Sequence, residues 1–259
     1  MIYFGCSQWG YGNWVGKIYP SHAKPGKYLS HYSHRFNCVE VNSTYHDIVE
    51  VERIERWRDE VGVNFKFCPK FPKSITHDKL LVGAENLTDD FLKRISFFKE
   101  NLGISFLQLH PDFAPSAFDI LDSYLKSLPK DFKVSVELRP FWLEYDNILS
   151  DAYAILKENK AGLVIVDRFE TIKYLNKLKL TNHSAFVRFD TYGYEIDKKR
   201  IDVWVNMIKK WHSKGLPEIY FFLHFPENNP NLEILYYAMD QFERSFFSDT
   251  NDNNLNFSI

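Results

Sequence analysis

A single (β/α)8 barrel of the TIM type is the fold the sequence predicts. Three observations predict it: length, an eightfold alternation of strand and helix patterns, and polar groups at nearly every strand end. The chain has 259 residues, and a barrel of this kind needs roughly 250. Hydrophobic residues make up 45% and charged residues 25%, the balance of a globular protein rather than a disordered one. Aromatics at 17% supply large side chains for a core.

The strands are short runs rich in β-branched and aromatic residues, at 2–6, 38–42, 65–69, 105–109, 133–138, 162–166, 185–189 and 219–224. Helical spacing fills the gaps. Leu29, Tyr32, Ser33 and Phe36 mark the first helix, and Val51, Ile54, Trp57 and Val61 the second. Thr88 is placed as the cap of a third helix carrying Phe91, Leu92, Ile95 and Phe98. Leu121, Tyr124, Leu125 and Leu128 make a fourth, and Ile148, Leu149 and Leu156 a fifth. A short sixth is expected around 172–178. Ile201, Trp204, Val205, Ile208 and Trp211 form the seventh, and Leu232, Leu235, Tyr236, Met239 and Phe242 the eighth. Repeated strand–helix alternation is the pattern of a parallel sheet closed on itself. A doubly wound open sheet is disfavoured because no G-x-G-x-x-G follows the first strand. The barrel is expected over residues 1–247, with 248–259 a polar, frayed tail.

The formal net charge of −2 and a pI of about 6.5 give no global attraction to nucleic acid or to an anionic membrane. Cys6, Cys38 and Cys68 are odd in number and lack C-x-x-C spacing, which argues for reduced core thiols. The start Met1–Gly5 carries no basic stretch leading into an apolar run. No window approaches the ~18 apolar residues of a membrane span. The expected location is the cytoplasm, with no membrane partner.

Active sites of such barrels lie at the C-terminal mouth, and side chains alternate along each strand. With Val39 and Val41 facing the helices, Glu40 and Asn42 turn inward; with Phe65 and Phe67 outward, so does Lys70. The same parity brings in Gln108 and His110, Glu137 and Arg139, Arg188 and Asp190, and His224. Ser7 shares the parity of Gly5, and Asp167 ends the sixth strand. Structure alone is a poor reason for so many buried charges, each of which costs several kcal/mol unless paired. The competing account is a self-satisfied ion-pair network, for instance Glu40 with Lys70 and Glu137 with Arg188.

Several runs resemble the YecE-like family, also called domain of unknown function 72. Gly5-Cys6-Ser7-Gln8-Trp9 is similar to its G-x-S-x-W opening. Val39-Glu40-Val41-Asn42-Ser43-Thr44-Tyr45 resembles its V-E-x-N-x-T-F/Y run, and Lys70 with Thr76-His77 its lysine and T-H segment. Leu107-Gln108-Leu109, Val136-Glu137-Leu138-Arg139 with Trp142, and Val187-Arg188 match further strand ends. Two positions depart from the pattern. His110 stands where a double proline is usual and inherits no role, and Asp190 replaces a common histidine. His224 through Asn228 and Asn229 resembles one branch of the family's last strand end. The resemblance implies a barrel related in architecture to sugar isomerases and abasic-site endonucleases, and it brings no established reaction.

From the residues, the favoured function is acid–base chemistry on a small anionic substrate, a sugar phosphate or nucleotide, by a hydrolase, lyase or isomerase. Glu40, Glu137 and Lys70 are the catalytic candidates. Arg139 and Arg188 suit bidentate binding of phosphate or carboxylate. Ser7, Asn42, His77, Gln108, Asp190, His224 and Asn228 are placed as binding groups, and Trp9, Trp14, Tyr45 and Trp142 as stacking surfaces. Lys70 could instead form a Schiff base, but anchoring an anion is the favoured role. Glu40, Glu137, Asp167 and His224 would suit a divalent ion; interleaved cations compete for them, so metal use is not favoured. The alternative is a protein that binds or processes nucleic acid at its aromatic, basic mouth. Its only tight basic cluster, Lys198-Lys199-Arg200, is expected on a solvated helix face away from most mouth residues.

Overall fold

The computed structural model describes residues 1–226 and 231–247. Its eight strands fall within one residue of the expected bounds at each end: β1 (Ile2–Cys6), β2 (Cys38–Val41), β3 (Lys66–Pro69), β4 (Ser105–Gln108), β5 (Val134–Glu137), β6 (Gly162–Asp167), β7 (Ser184–Asp190) and β8 (Glu218–His224). All pair in parallel in the order β3-β2-β1-β8-β7-β6-β5-β4. The ring closes between β3 and β4 through the bridges Lys70–Phe106 and Phe67–Leu102. Phe71 N–H donates to the Phe106 carbonyl at 2.9 Å across that seam. This is a (β/α)8 barrel.

Outside it lie α1 (Tyr28–Ser33), α2 (Ser43–His46), α3 (Val51–Asp59), α4 (Glu85–Ile95), α5 (Phe118–Ser127), α6 (Asp146–Glu158), α7 (Tyr194–Ser213) and α8 (Leu232–Phe242). Their apolar stripes face inward, as with Ile201, Trp204, Val205 and Ile208 on α7. The single turn α2 has no apolar stripe to announce it. It is held by Thr44 Oγ1, which lies 2.6 Å from the Val41 carbonyl and 2.7 Å from that of Lys70. Between β6 and β7 the described chain forms a 3-10 helix, Ile172–Lys177, rather than an α-helix. Thr88 does not cap α4, which starts three residues earlier. Its hydroxyl bonds the Ala84 carbonyl and the Tyr124 hydroxyl within the core, because a mid-helix threonine can reach back one turn.

The barrel interior is filled by Tyr3, Cys38, Cys68, Phe106, Phe186, Tyr220 and Phe222, among others. Tyr3 and Tyr220 stack at 4.5 Å. This aromatic plug occupies the space that Val, Ile and Leu usually fill. The charged layer sits above it. Cys6, Cys38 and Cys68 are free and buried, and burial pushes all three thiols up.

Gly5 answers to a close approach. A Cβ there would lie 2.0 Å from the Cys38 carbonyl oxygen and 2.9 Å from the Tyr32 hydroxyl. That hydroxyl stitches β1 to β2, accepting from Cys6 N–H at 2.7 Å and donating to the Cys38 carbonyl at 2.8 Å. Gly5→Ala should therefore cost about 1–3 kcal/mol, the usual range for overpacking. An unchanged denaturation midpoint in urea would contradict this account of the seam.

Candidate functional site

At the C-terminal mouth one guanidinium ties two carboxylates from opposite sides of the barrel. Arg188 on β7 donates from Nε to Glu40 Oε1 at 3.0 Å and from Nη2 to Glu40 Oε2 at 3.4 Å. Its Nη1 donates to Glu137 Oε2. All three side chains are buried, and the guanidinium lies 5.1 Å from the Phe106 ring centroid. The anticipated pairing of Glu137 with Arg188 forms. That of Glu40 with Lys70 does not, because Glu40 is taken by Arg188 and by His224 Nε2 at 3.0 Å.

Asn42 Nδ2 reaches Glu40 Oε2 at 3.3 Å and the Ser7 carbonyl at 2.8 Å. Gln108 Nε2 donates to Glu137 Oε1 at 2.7 Å, which turns its carbonyl toward Lys70; Lys70 Nζ donates to that oxygen at 2.9 Å. The amine also lies 4.0 Å from the Tyr45 ring centroid. His77 meets the edges of Tyr45 and His110, and its Nδ1 lies 2.8 Å from Thr76 Oγ1. Ser7, Asn42, Tyr45, Lys70, His77, Gln108, Glu137, Arg188 and His224 thus share one connected neighbourhood with Glu40.

Burial favours the neutral form of Glu40, but the Arg188 charge, followed by His224, overturns it and holds the carboxyl at about 2. Glu137 is held at about 2 in the same way, by Arg188 and then Arg168 against burial. Both are fixed anions at neutral pH. Burial, then the Arg188 charge, lowers Lys70 to about 8. Burial and then the Arg139 charge lower His77 to about 4, leaving a neutral imidazole.

Arg168 belongs to this site and was missed from sequence. Val164 and Val166 line the barrel interior, so parity carries Arg168 inward one residue past the strand. There its Nη2 lies 3.7 Å from Glu137 and its Nε 3.3 Å from Asp190 Oδ2. The same parity turns Asp167 outward, away from any metal-ligand set. Asp167 Oδ2 accepts from Trp204 Nε1 at 2.7 Å, and its Oδ1 lies 2.7 Å from Arg200 Nη2. Among the described residues no three His, Cys, Asp or Glu converge on one point suited to a metal ion.

The basic cluster on α7 is more engaged than expected. Arg200 donates to the Asp190 and Asp167 carbonyls under the mouth loops and stacks between Phe189 and Tyr192 at 4.1 and 4.7 Å.

Two of the four expected stacking residues are packed away, and a third, Trp9, is half-buried against a helix. Trp142 is 0% exposed, against Phe118 and Phe113. Trp14 is 0% exposed, beside Tyr11 and Tyr19. Trp9 turns its ring to Trp57 on α3 at 5.1 Å. Asn228 lies outside the described residues. Other aromatics are open instead: Phe141 and Tyr145 after β5, Phe169 after β6 and Tyr192 after β7. Phe169 and Tyr192 meet edge to face at 6.4 Å.

Arg139 is the mouth cation with two buried nitrogens, Nε and Nη2, unsatisfied among the described residues. Arg168 has one, its Nε, which still pairs with Asp190 at 3.3 Å. Burial lowers the Arg139 pKa, Glu137 opposing that and Arg168 adding to it; an arginine stays charged regardless. A cavity of about 1140 Å3 opens at the opposite end between strand starts such as Lys133, Ser184 and Glu218. Barrel chemistry lies at the other mouth, and there the buried charges converge.

The family described as "Protein of unknown function DUF72" matches residues 3–245. The UPF0759 protein YecE of Escherichia coli K12 is 30% identical over 246 residues, covering 88% of this chain and 87% of that one. A DUF72 family protein of Thermotoga maritima MSB8 superposes with a TM-score of 0.73 at 21% identity, covering 94% of this chain and 98% of the other. One from Enterococcus faecalis V583 gives 0.70 at 20%, covering 94% and 96%. These two likenesses speak for the fold. No described helix is long and apolar enough to cross a membrane. With the family model matching residues 3–245 and a relative 30% identical over 246 residues, the chain belongs to the DUF72 family.

Proposed function

We propose that the C-terminal mouth binds a small substrate bearing phosphate or carboxylate and performs acid–base chemistry on it, as a cytoplasmic barrel protein with a polar tail at 248–259. The observation that carries this reading is Arg139, with two buried guanidinium nitrogens and no acceptor among the described residues. A buried unsatisfied donor costs about 1–3 kcal/mol, and an anionic ligand removes that cost by bidentate acceptance. Lys70 and Arg168 add positive charge nearby. Glu137, ionised and held by Arg188, orients Gln108 and through it Lys70, while Glu40, held by the same guanidinium, positions Asn42 and His224. Proton transfer then falls to Lys70, whose pKa of about 8 suits it, with neutral His77 beside it. The exposed Phe141, Tyr145, Phe169 and Tyr192 offer an apolar rim for the rest of the substrate.

Thermal unfolding in the presence of inorganic phosphate and sugar phosphates tests the reading. A ligand at 100 times its Kd adds about 2.7 kcal/mol, or roughly 2–4 °C per kcal/mol for a domain of this size. Arg139→Ala should abolish that shift while leaving the ligand-free Tm unchanged or higher, since it removes an unsatisfied buried charge. A salt-dependent shift with oligonucleotides alone would favour nucleic-acid binding. No phosphate shift in the wild type would remove the anion site.

A further inference from the structure

We propose that the Lys70 amine is a nucleophile that forms an imine with the substrate's carbonyl carbon, so that the anionic substrate is an aldehyde or ketone. This rests on the anion-site reading and adds the substrate's reacting group. A buried lysine with a purely structural role is most often paired with a carboxylate. Lys70 stands within the field of two, yet neither Glu40 nor Glu137 forms a salt bridge with it, because Arg188 takes both. Its hydrogen-bond partner is the neutral carbonyl of Gln108, turned toward it by the Glu137 bond on the amide's other end. An acceptor of that kind serves a neutral amine as well as an ammonium, and leaves the lone pair free to attack. The Arg188 cation nearby and 9% exposure both disfavour the ammonium form. The Tyr45 ring 4.0 Å away favours a cation, and it would hold the protonated imine as it holds the ammonium. Arg139 lies close enough to act on Lys70 electrostatically and would fix the substrate's anionic end.

The step balances without a further reactant. The Nζ lone pair forms the C–N bond while the carbonyl π pair moves to oxygen. The two amine protons leave with that oxygen as water, giving C=N, and a proton from solvent or substrate makes the iminium. His77, with Lys70, Arg139 and His110 about it, is placed to shuttle the proton.

Pyridoxal 5′-phosphate is a suitable probe because it joins an aldehyde to a phosphate. Borohydride delivers hydride to any imine carbon and makes the adduct permanent for peptide mapping. The expected result is labelling concentrated on Lys70, suppressed by excess inorganic phosphate, and weaker with phosphate-free pyridoxal. The labelling rate should rise through pH about 8, well below the ordinary lysine value of about 10.4. Lys70→Arg keeps the charge and should lose the label. A phosphate-induced Tm shift with an unlabelled Lys70 peptide overturns the imine and spares the anion site. Labelling spread over surface lysines, with no midpoint near pH 8, overturns it equally. Loss of both the phosphate shift and the label removes both readings.

Discussion

Arg188→Met should destabilise the protein by about 3–5 kcal/mol at pH 7, the usual loss when one partner of a buried ion pair is removed. The reason is geometric: one guanidinium serves two buried carboxylates, Glu40 and Glu137, and its removal strands both. The sign of the pH response follows. In the wild type both carboxyls are held at about 2, below the ordinary value of about 4.3. Their stabilisation is therefore present above pH ~4.3 and lost as pH falls toward 2. Without Arg188, burial is opposed only by His224 at Glu40 and by Arg168, Gln108 and Lys70 at Glu137, so both carboxyls rise and the variant gains stability relative to the wild type as pH falls. Urea denaturation at pH 7 and pH 4.5 should show the gap narrowing. Adding Glu40→Gln and Glu137→Gln to Arg188→Met should recover most of the loss, because the stranded charges go with it. A gap that widened in acid, or a triple variant no better than the single, would mean that Arg188 is not the counter-charge.

Asp167→Ala should cost about 3 kcal/mol and leave phosphate binding intact. Asp167 is 1% exposed and serves Trp204 Nε1 and Arg200 on the helix side of β6. Losing it leaves an indole N–H and part of a buried guanidinium without acceptors, although Asp197 still holds Arg200 at 2.7 Å. The pair Asp167→Ala with Arg200→Met should be less damaging than the sum of the singles, because the stranded charge is gone. Thermal unfolding with and without phosphate separates the outcomes. A lost phosphate shift in a folded Asp167→Ala variant would place Asp167 in the site after all.

Much of the mouth was legible because its signals are local. The two-residue period of strands sorts Glu40, Lys70, Gln108, Glu137, Arg188 and His224 inward without any knowledge of their partners. Arg168 is legible by the same rule, one residue beyond the end of β6 at Asp167. Trp9, Trp14 and Trp142 were not, since position in a loop leaves the direction of an indole open. Their apolar area is better buried against Trp57, Tyr19 and Phe118 than exposed to water. The aromatic rim of Phe169 and Tyr192 was hidden for the converse reason: exposure depends on what the neighbouring loops cover.

By itself the sequence determined the barrel, its strand bounds and the inward ring, because these follow from spacing over a few residues and from the need to bury apolar faces. Only the tertiary structure decided who pairs with whom. Arg188 and Glu40 stand 148 positions apart, and His224 and Glu40 184 apart. No local period reaches such distances. Barrel closure brings three strands' charges within 3.4 Å of one guanidinium or carboxylate. Coulombic competition at that range gives Glu40 to Arg188 rather than to Lys70, because the planar fork of arginine meets a carboxylate at two atoms and a single ammonium cannot.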